Sequence, residues 1–116
     1  MDKKLAELSH EVESSLSLGG DLAERVIAEL NKVSGDQTIE RQHLDSTDKV
    51  LTMIYAVQPG WSVSIDGVAR LPNGHWRCSL RKSASRDDDP YLGTGRGPTL
   101  PHALLAALLE SMAYNV

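Results

Sequence analysis

The carboxyl-terminal segment limits the fold of this chain more than any other part of its sequence. Residues 100–114 are apolar over a wide arc when they are placed on a helix, and the residues that form the arc are Ala103, Leu104, Leu105, Ala106, Ala107, Leu108, Leu109 and Met112. A helix at a protein surface has an apolar stripe and a broad polar face, and this helix has no such face. We therefore expect it to lie at the centre of the fold or to meet a second chain, and we predict a homodimer.

Length and composition place the chain among single-domain globular proteins. It has 116 residues, of which 41% are apolar and 24% are charged, so a core can form. The net charge of −4 argues against electrostatic capture of nucleic acid by the whole molecule. No apolar run is long enough to span a bilayer, and the single cysteine, Cys78, cannot form an internal disulfide. We therefore expect a cytoplasmic protein with no membrane partner.

The amino-terminal part predicts two amphipathic helices, at about residues 2–17 and 21–33. In each of them apolar residues recur at steps of three and four, and Gly19-Gly20 separates the two patterns. Asp21 and the glutamate three residues later have the spacing of a capping box at the start of the second helix. The two helices are expected to form an antiparallel pair that shields one side of a larger structure.

The next segment predicts a connection and a third helix. Residues 34–45 are polar and show no sustained period, so we expect a surface connection there. A helix is predicted at about residues 47–57, with Ser46 or Thr47 as its cap. The β-branched residues of this segment leave a strand open as an alternative. In either case, Pro59-Gly60 ends it.

Residues 61–82 carry the clearest strand pattern. Apolar residues alternate with polar ones on both sides of Asn73-Gly74, and the apolar set is Trp61, Val63, Ile65, Trp76, Cys78 and Leu80. A two-residue turn at Asn73-Gly74 predicts an antiparallel hairpin that keeps this set on one face. A three-residue turn beginning at Pro72 would mix the two faces, so the first register is preferred.

The remaining elements complete a fold class. A third strand is expected at residues 91–96, at the edge of the sheet, and Thr99 is expected to cap the final helix at about residues 100–114. The prediction is one α+β domain over residues 1–116. In it, the hairpin 61–82 and the edge strand form a small antiparallel sheet. Amino-terminal helices and the apolar carboxyl-terminal helix pack with this sheet in an α/β/α sandwich-like arrangement.

Several stretches of the chain also match the pattern of a known family. They are Leu5–Glu13, Gly19–Ala28, Thr47–Leu51 with Gln58–Trp61, and the glycine-threonine entry into an alanine-leucine helix at Gly95–Leu109. Together they cover nearly the whole chain, which resembles the phage "ABA sandwich" domains. This resemblance implies a phage or prophage origin and a small sheet with helices on its faces. It implies no activity and carries over no functional residue.

Arginines on the polar face of the hairpin are the candidate binding residues. The stretch from residue 70 to residue 86 is basic and has no acidic residue. In the predicted register Arg70 lies opposite Arg77, which is repulsive unless an anion lies between them, and Asp66 lies opposite Arg81. Arg70, Arg77 and Arg81, together with Arg96, suggest a surface for an anion or a nucleic acid. The simpler interpretation is a solvated strand face.

Other motifs favour structural interpretations. Gly93-Thr94-Gly95-Arg96-Gly97 precedes a helix, as a phosphate loop would, but it matches neither common nucleotide-binding pattern, and close backbone packing explains its glycines. Asp87-Asp88-Asp89 lacks the spacing of a calcium loop. The histidines have no metal-binding spacing, Cys78 is expected to be buried and inert, and no serine lies in a nucleophile motif. No catalytic residue, metal or cofactor is predicted.

These observations favour a binding protein over an enzyme. We expect a non-enzymatic accessory protein of phage type that acts in the bacterial host cytoplasm, most simply by binding a host protein such as a defence factor. The choice of a host protein is an analogy with other phage accessory proteins. The alternative is a binder of small anionic or nucleotide ligands through Arg70, Arg77, Arg81 and Arg96. Nucleic-acid binding is less favoured because the chain is acidic.

Overall fold

The computed structural model describes residues 2–15, 19–33, 39–67, 76–81 and 92–114. In these residues the elements are, in chain order, α1 (Lys3–Ser14), α2 (Gly20–Asn31), a 3₁₀ turn (Arg41–Asp45), α3 (Thr47–Val57), β1 (Ser62–Gly67), β2 (Trp76–Arg81), β3 (Leu92–Gly97) and α4 (Leu100–Tyr114). The strands form one antiparallel sheet in the order β1-β2-β3. The predicted α+β class is confirmed.

Helix α4 occupies the centre of the fold. Strands β2 and β3 pack against one side of it, and α1 and α3 pack against other sides. Every residue from 102 to 109 is buried. The layers are therefore the sheet, then α4, then α1 and α3. Of the two positions that the apolar arc allowed, the structure shows the central one. Because the same chain covers this helix, its composition no longer requires a second chain.

Glycines of β3 let α4 approach the sheet closely. Gly93, Gly95 and Gly97 share the inner face; α4 presents small residues to the first two and the His102 ring to Gly97. A Cβ atom at Gly95 would lie 2.3 Å from the backbone nitrogen of Ala107 and 2.4 Å from the carbonyl oxygen of Ala103. Such distances are far below van der Waals contact, so the helix and strand backbones meet where a side chain would otherwise stand. The glycine-rich motif is thus confirmed as a packing feature.

Side-chain caps fix the starts of three helices. Asp2 accepts hydrogen bonds from the backbone N–H groups of Lys4 and Leu5, at 3.0 and 3.2 Å. The Ser46 hydroxyl accepts a hydrogen bond from the backbone N–H of Lys49 at 3.3 Å. The Thr99 hydroxyl accepts one from the backbone N–H of His102 at 3.4 Å. The helical prediction for residues 47–57 is therefore confirmed, with Ser46 as its cap.

Two local predictions in the first half are wrong. Helix α2 begins at Gly20 after Gly19, with no side-chain cap, so the capping box expected from Asp21 does not form. The φ of +58° at Gly20 is a conformation that glycine adopts without strain, so the double glycine sets this helix start. Within the predicted surface connection, Ile39 and Leu44 are buried and join the core.

The register of the hairpin also differs from the prediction. Arg77 pairs with Asp66 and not with Arg70, and Trp76 pairs with Gly67 on one side and Gly97 on the other. Two glycines therefore flank the large indole, which the predicted register would have placed beside Leu71. The described ladder between β1 and β2 ends at residues 67 and 76, and Asn73-Gly74 lies outside the described residues.

The predicted division of side chains between the two faces survives this correction. The observed partner of Arg77 is four positions from the predicted one, and an even shift keeps each side chain on its face. Cys78 and Leu80 are fully buried on the inner face, as expected, and Trp61 and Trp76 are half-buried against the core.

Candidate binding face on the sheet

The outer face of the sheet is the face that points away from α4. Strand alternation places these described side chains on it: Ser62, Ser64, Asp66, Arg77, Ser79, Arg81, Thr94 and Arg96. Among the described elements, no helix packs over it, and the side chains are exposed or half-buried. We call this surface the outer sheet face. It is an open, polar surface with three basic residues and one acidic residue among those described.

Three of the four predicted binding residues lie together on the outer sheet face. Arg77 and Arg81 project from β2, and Arg96 projects from the neighbouring β3. Arg77 and Arg96 are exposed, whereas Arg81 is half-buried. Arg70 lies outside the described residues. The face assignment made from strand alternation therefore holds for Arg77 and Arg81, and the structure places Arg96 on the same face.

Two like charges lie opposite each other at the centre of this surface. Arg77 of β2 pairs directly with Arg96 of β3, while Asp66 of β1 lies on the other side of Arg77. In the described part of the chain, neither arginine side chain makes a hydrogen bond or an ion pair. Like charges in directly opposed positions destabilise an antiparallel sheet. The repulsion predicted for Arg77 with Arg70 thus occurs with Arg96.

The edge of β3 carries an interaction that sequence patterns did not reveal. The carboxylate of Glu110 on α4 faces the backbone N–H of Thr94, and its Oε2 lies 3.4 Å from the Thr94 hydroxyl. Burial raises the pKa of Glu110, and Glu13 on α1 raises it further, while the Thr94 backbone lowers it. Glu110 is the single acidic residue in an apolar helix, which is the signal that could have singled it out.

Charged residues on the opposite side of the molecule are paired. Arg25 contacts Glu11 at 2.6 Å between α2 and α1, and Lys4 contacts Glu29 at 3.0 Å. Hydrogen bonding to Arg25 lowers the pKa of Glu11, and hydrogen bonding to Lys4 lowers that of Glu29. These ions rim a groove of about 180 Å³ between the two helices. Since they already satisfy one another, this groove is a weaker candidate for a charged ligand than the outer sheet face.

Chemically reactive side chains are held in structural roles. Burial raises the pKa of the Cys78 thiol to about 11, so it stays protonated and unreactive. The Nε2 of the buried His102 hydrogen-bonds with the carbonyl oxygen of Val12. In the described residues, no group of three or more histidine, cysteine, aspartate or glutamate residues is arranged to hold a metal ion.

No family model, no curated protein and no solved structure matches the chain. None of the helices in the described residues is both long enough and apolar enough to cross a membrane.

Proposed function

We propose that this protein acts by binding, and that its outer sheet face contacts an acidic surface of another protein. The observation that carries the proposal is the opposed pair Arg77 and Arg96, two exposed guanidinium groups on neighbouring strands. A carboxylate placed between them would replace a repulsion with two charge-assisted hydrogen bonds. Arginine is also the basic residue most often found at the energetic centre of protein interfaces.

The shape of the surface favours a protein as the partner. Small molecules are usually held in concave sites that cover most of their surface. The outer sheet face presents instead short polar side chains, Ser64, Ser79 and Thr94, around the two arginines. A flat surface of this kind suits a large partner that brings its own projecting acidic groups. The acidic net charge of the chain argues against nucleic acid in that role.

A small anion is the second candidate, and the same arginine pair supports it. Two guanidinium groups on adjacent strands can each direct N–H donors to one phosphate or carboxylate group. This candidate differs from the first in needing no macromolecule. It is therefore tested with inorganic phosphate and with a nucleotide as defined probes.

The biological setting of the proposal rests on the resemblance to phage "ABA sandwich" domains. A non-enzymatic accessory protein that binds a host factor, such as a defence protein, in the bacterial cytoplasm is consistent with a small fold whose reactive groups serve packing. The resemblance is the support for a phage origin, and the open arginine pair is the support for a binding role.

The test compares two double charge reversals. In Arg77→Glu/Arg96→Glu the binding surface is reversed, and in Lys3→Glu/Lys49→Glu two exposed lysines in the first turns of α1 and α3 undergo the same change in charge. Each tagged variant is incubated with extract of the host bacterium, and bound proteins are quantified by mass spectrometry. We expect a partner that the wild type and the lysine variant retain and that the arginine variant loses at least about tenfold.

Two outcomes would contradict the proposal. If the arginine variant retains every protein that the wild type binds, the outer sheet face is not the interaction surface. If, in calorimetric titrations, phosphate or nucleotide binds the wild type and not the arginine variant, while no protein depends on these arginines, the small-anion candidate replaces the first.

A further inference from the structure

Strand β1 differs from the rest of the sheet because nothing described covers it. Among the described elements it contacts β2 alone, and α4 does not extend over it. Of its inner-face residues, Val63 is therefore half-buried and Ile65 is 42% exposed. Their partners on β2, Leu80 and Cys78, are fully buried. An apolar strip thus continues past the edge of the core at the outermost strand.

The hydrogen-bonding groups of this edge can be assigned from the alternation of the strands. In an antiparallel sheet the N–H and C=O of one residue point to the same side, and successive residues alternate. The Glu110 carboxylate lies 3.4 Å from the Thr94 hydroxyl and faces the Thr94 backbone N–H; because Glu110 belongs to α4 and not to β2, we take this N–H to point away from β2. Thr94 pairs with Ser79, so the N–H and C=O of Ser79 point away from β3 and towards β1. Ser79 pairs with Ser64, so the N–H and C=O of Ser64 point towards β2. Those of the neighbouring residues Val63 and Ile65 therefore point outward, away from β2.

Apart from the charge of Asp66 near its end, the common protections of an edge strand are missing from β1. Natural edges are often blocked by a lysine, a proline or a bulge, or are covered by another element. The sequence of β1, Ser62–Gly67, contains neither lysine nor proline, and it pairs with β2 without interruption. Among the described residues none pairs with its outer side. Such an edge is suited to the addition of another strand.

We infer that β1 pairs with β1 of a second copy of this chain, in antiparallel orientation about a two-fold axis at Ser64. This register places Val63 opposite Ile65 of the second copy, and Ile65 opposite its Val63. All four half-exposed apolar side chains then lie together on the inner face. The two three-stranded sheets become one sheet of six strands.

Charges on the outer face are compatible with this register. Asp66 lies opposite Ser62 of the second copy, so no two like charges are opposed across the new interface. In its own sheet Ser62 pairs with Arg81, so the arginine that faces Asp66 across the new interface lies two strands away, at about 10 Å. A two-fold axis perpendicular to the sheet keeps both outer faces on one side. This dimer needs no contact from α4 and does not depend on the proposed binding role.

The first test uses proline at two neighbouring positions. Ile65→Pro removes an outward N–H and leaves the ladder to β2 intact, since proline is tolerated at a strand edge whose N–H faces outward. Ser64→Pro removes an inward N–H and is the matched control, which should unfold more easily. Mass is measured by light scattering from about 1 µM to about 1 mM, the range over which modest protein complexes dissociate. We expect the wild type to approach twice 12.6 kDa and Ile65→Pro to remain at 12.6 kDa.

The second test fixes the register and holds even if Ile65→Pro fails to fold. Two Ser64 residues meet on the axis at about 4.5 Å between Cα atoms, a separation that a disulfide can bridge. Ser64→Cys should therefore form a covalent dimer under mild oxidation. In Asp66→Cys the two cysteines are offset by four residues, about 13 Å along the strands, and should not cross-link. The native Cys78 is buried and serves as the background in all variants.

Three results would overturn the inference. The first is a wild type that stays at 12.6 kDa at about 1 mM. The second is a folded Ile65→Pro variant that dimerises as the wild type does, because the interface would then lie elsewhere. The third is equal cross-linking of Ser64→Cys and Asp66→Cys, which would indicate random collision.

Discussion

The two outer strands of the sheet, β3 and β1, have the same length and opposite surroundings. Strand β3 lies under α4, its glycines meet the helix backbone, and the carboxylate of Glu110 faces its edge. Strand β1 lies beyond the helix, and no described residue pairs with its outer side. Neither strand carries lysine or proline to protect its edge. The difference between the two edges therefore comes from the element packed beside β3.

The difference also explains where function can lie. The inner side of β3 is occupied by Ala103, Ala107 and Ser111 of α4, so it is committed to the core. The apolar residues of β1 and the arginines of the outer sheet face remain accessible. One small sheet can therefore serve three purposes: packing through one face, partner binding through the other, and association through its open edge.

The largest expected effect comes from adding a methyl group to a glycine of each outer strand. Gly95→Ala places a Cβ against the backbone of α4, which cannot move without shifting the helix, so we expect a loss of about 3 kcal/mol in the free energy of unfolding. At Gly67 the nearest atoms belong to the half-buried ring of Trp76, which can turn aside, so Gly67→Ala should cost about 1 kcal/mol. Urea denaturation measures both, and equal losses would show that β3 is no more tightly packed than β1.

An intermediate effect is expected in the exchange of amide hydrogens at the two edges. The N–H of Thr94 faces the Glu110 carboxylate, whereas those of Val63 and Ile65 point away from β2, where no described strand pairs with them. At low protein concentration, exchange measured by NMR should be at least about tenfold slower at Thr94 than at Val63 and Ile65. As concentration rises, exchange at the two β1 positions should slow if the dimer forms. Protection at these positions that does not change on dilution would contradict the open edge.

The smallest expected effect concerns the charge of Glu110. Because burial raises its pKa in the folded protein, the folded state holds the proton more tightly than the unfolded chain does. The contribution of Glu110 to the free energy of unfolding therefore becomes more favourable as the pH falls from above its folded pKa towards about 4.5, the ordinary pKa of a glutamate side chain. Glu110→Gln keeps an acceptor for Thr94 and removes the buried charge, so it should add up to about 1 kcal/mol at pH 7 and remove this pH dependence.

A surface glutamate provides the control for that measurement. Glu24→Gln on the exposed side of α2 should change the stability by less than about 0.5 kcal/mol at either pH. If Glu110→Gln instead lowers the stability at pH 7, the charged carboxylate is a net stabilising contact for the edge of β3.

Local patterns in the sequence were sufficient for the elements of this fold. The wide apolar arc of residues 100–114 predicted a helix that must be enclosed, and the structure encloses it. Alternation around Trp76 and Cys78 predicted strands with one buried face, and the caps Ser46 and Thr99 were recognised by residue type. These features depend on neighbours within one helical turn or one strand, so they can be inferred without knowledge of distant contacts.

The hairpin register and the position of Glu110 depended on the tertiary structure. Asn73-Gly74 suggested a tight turn, but Trp76 is flanked by Gly67 and Gly97, positions that become neighbours only when the sheet and α4 come together. Likewise Glu110 reaches the edge of β3 across sixteen positions of the chain. Packing between segments distant in sequence decided which arginine faces Arg77 and which strand edge stays open. Short-range preferences could not decide this, because they do not distinguish registers that keep the same residues on the same face.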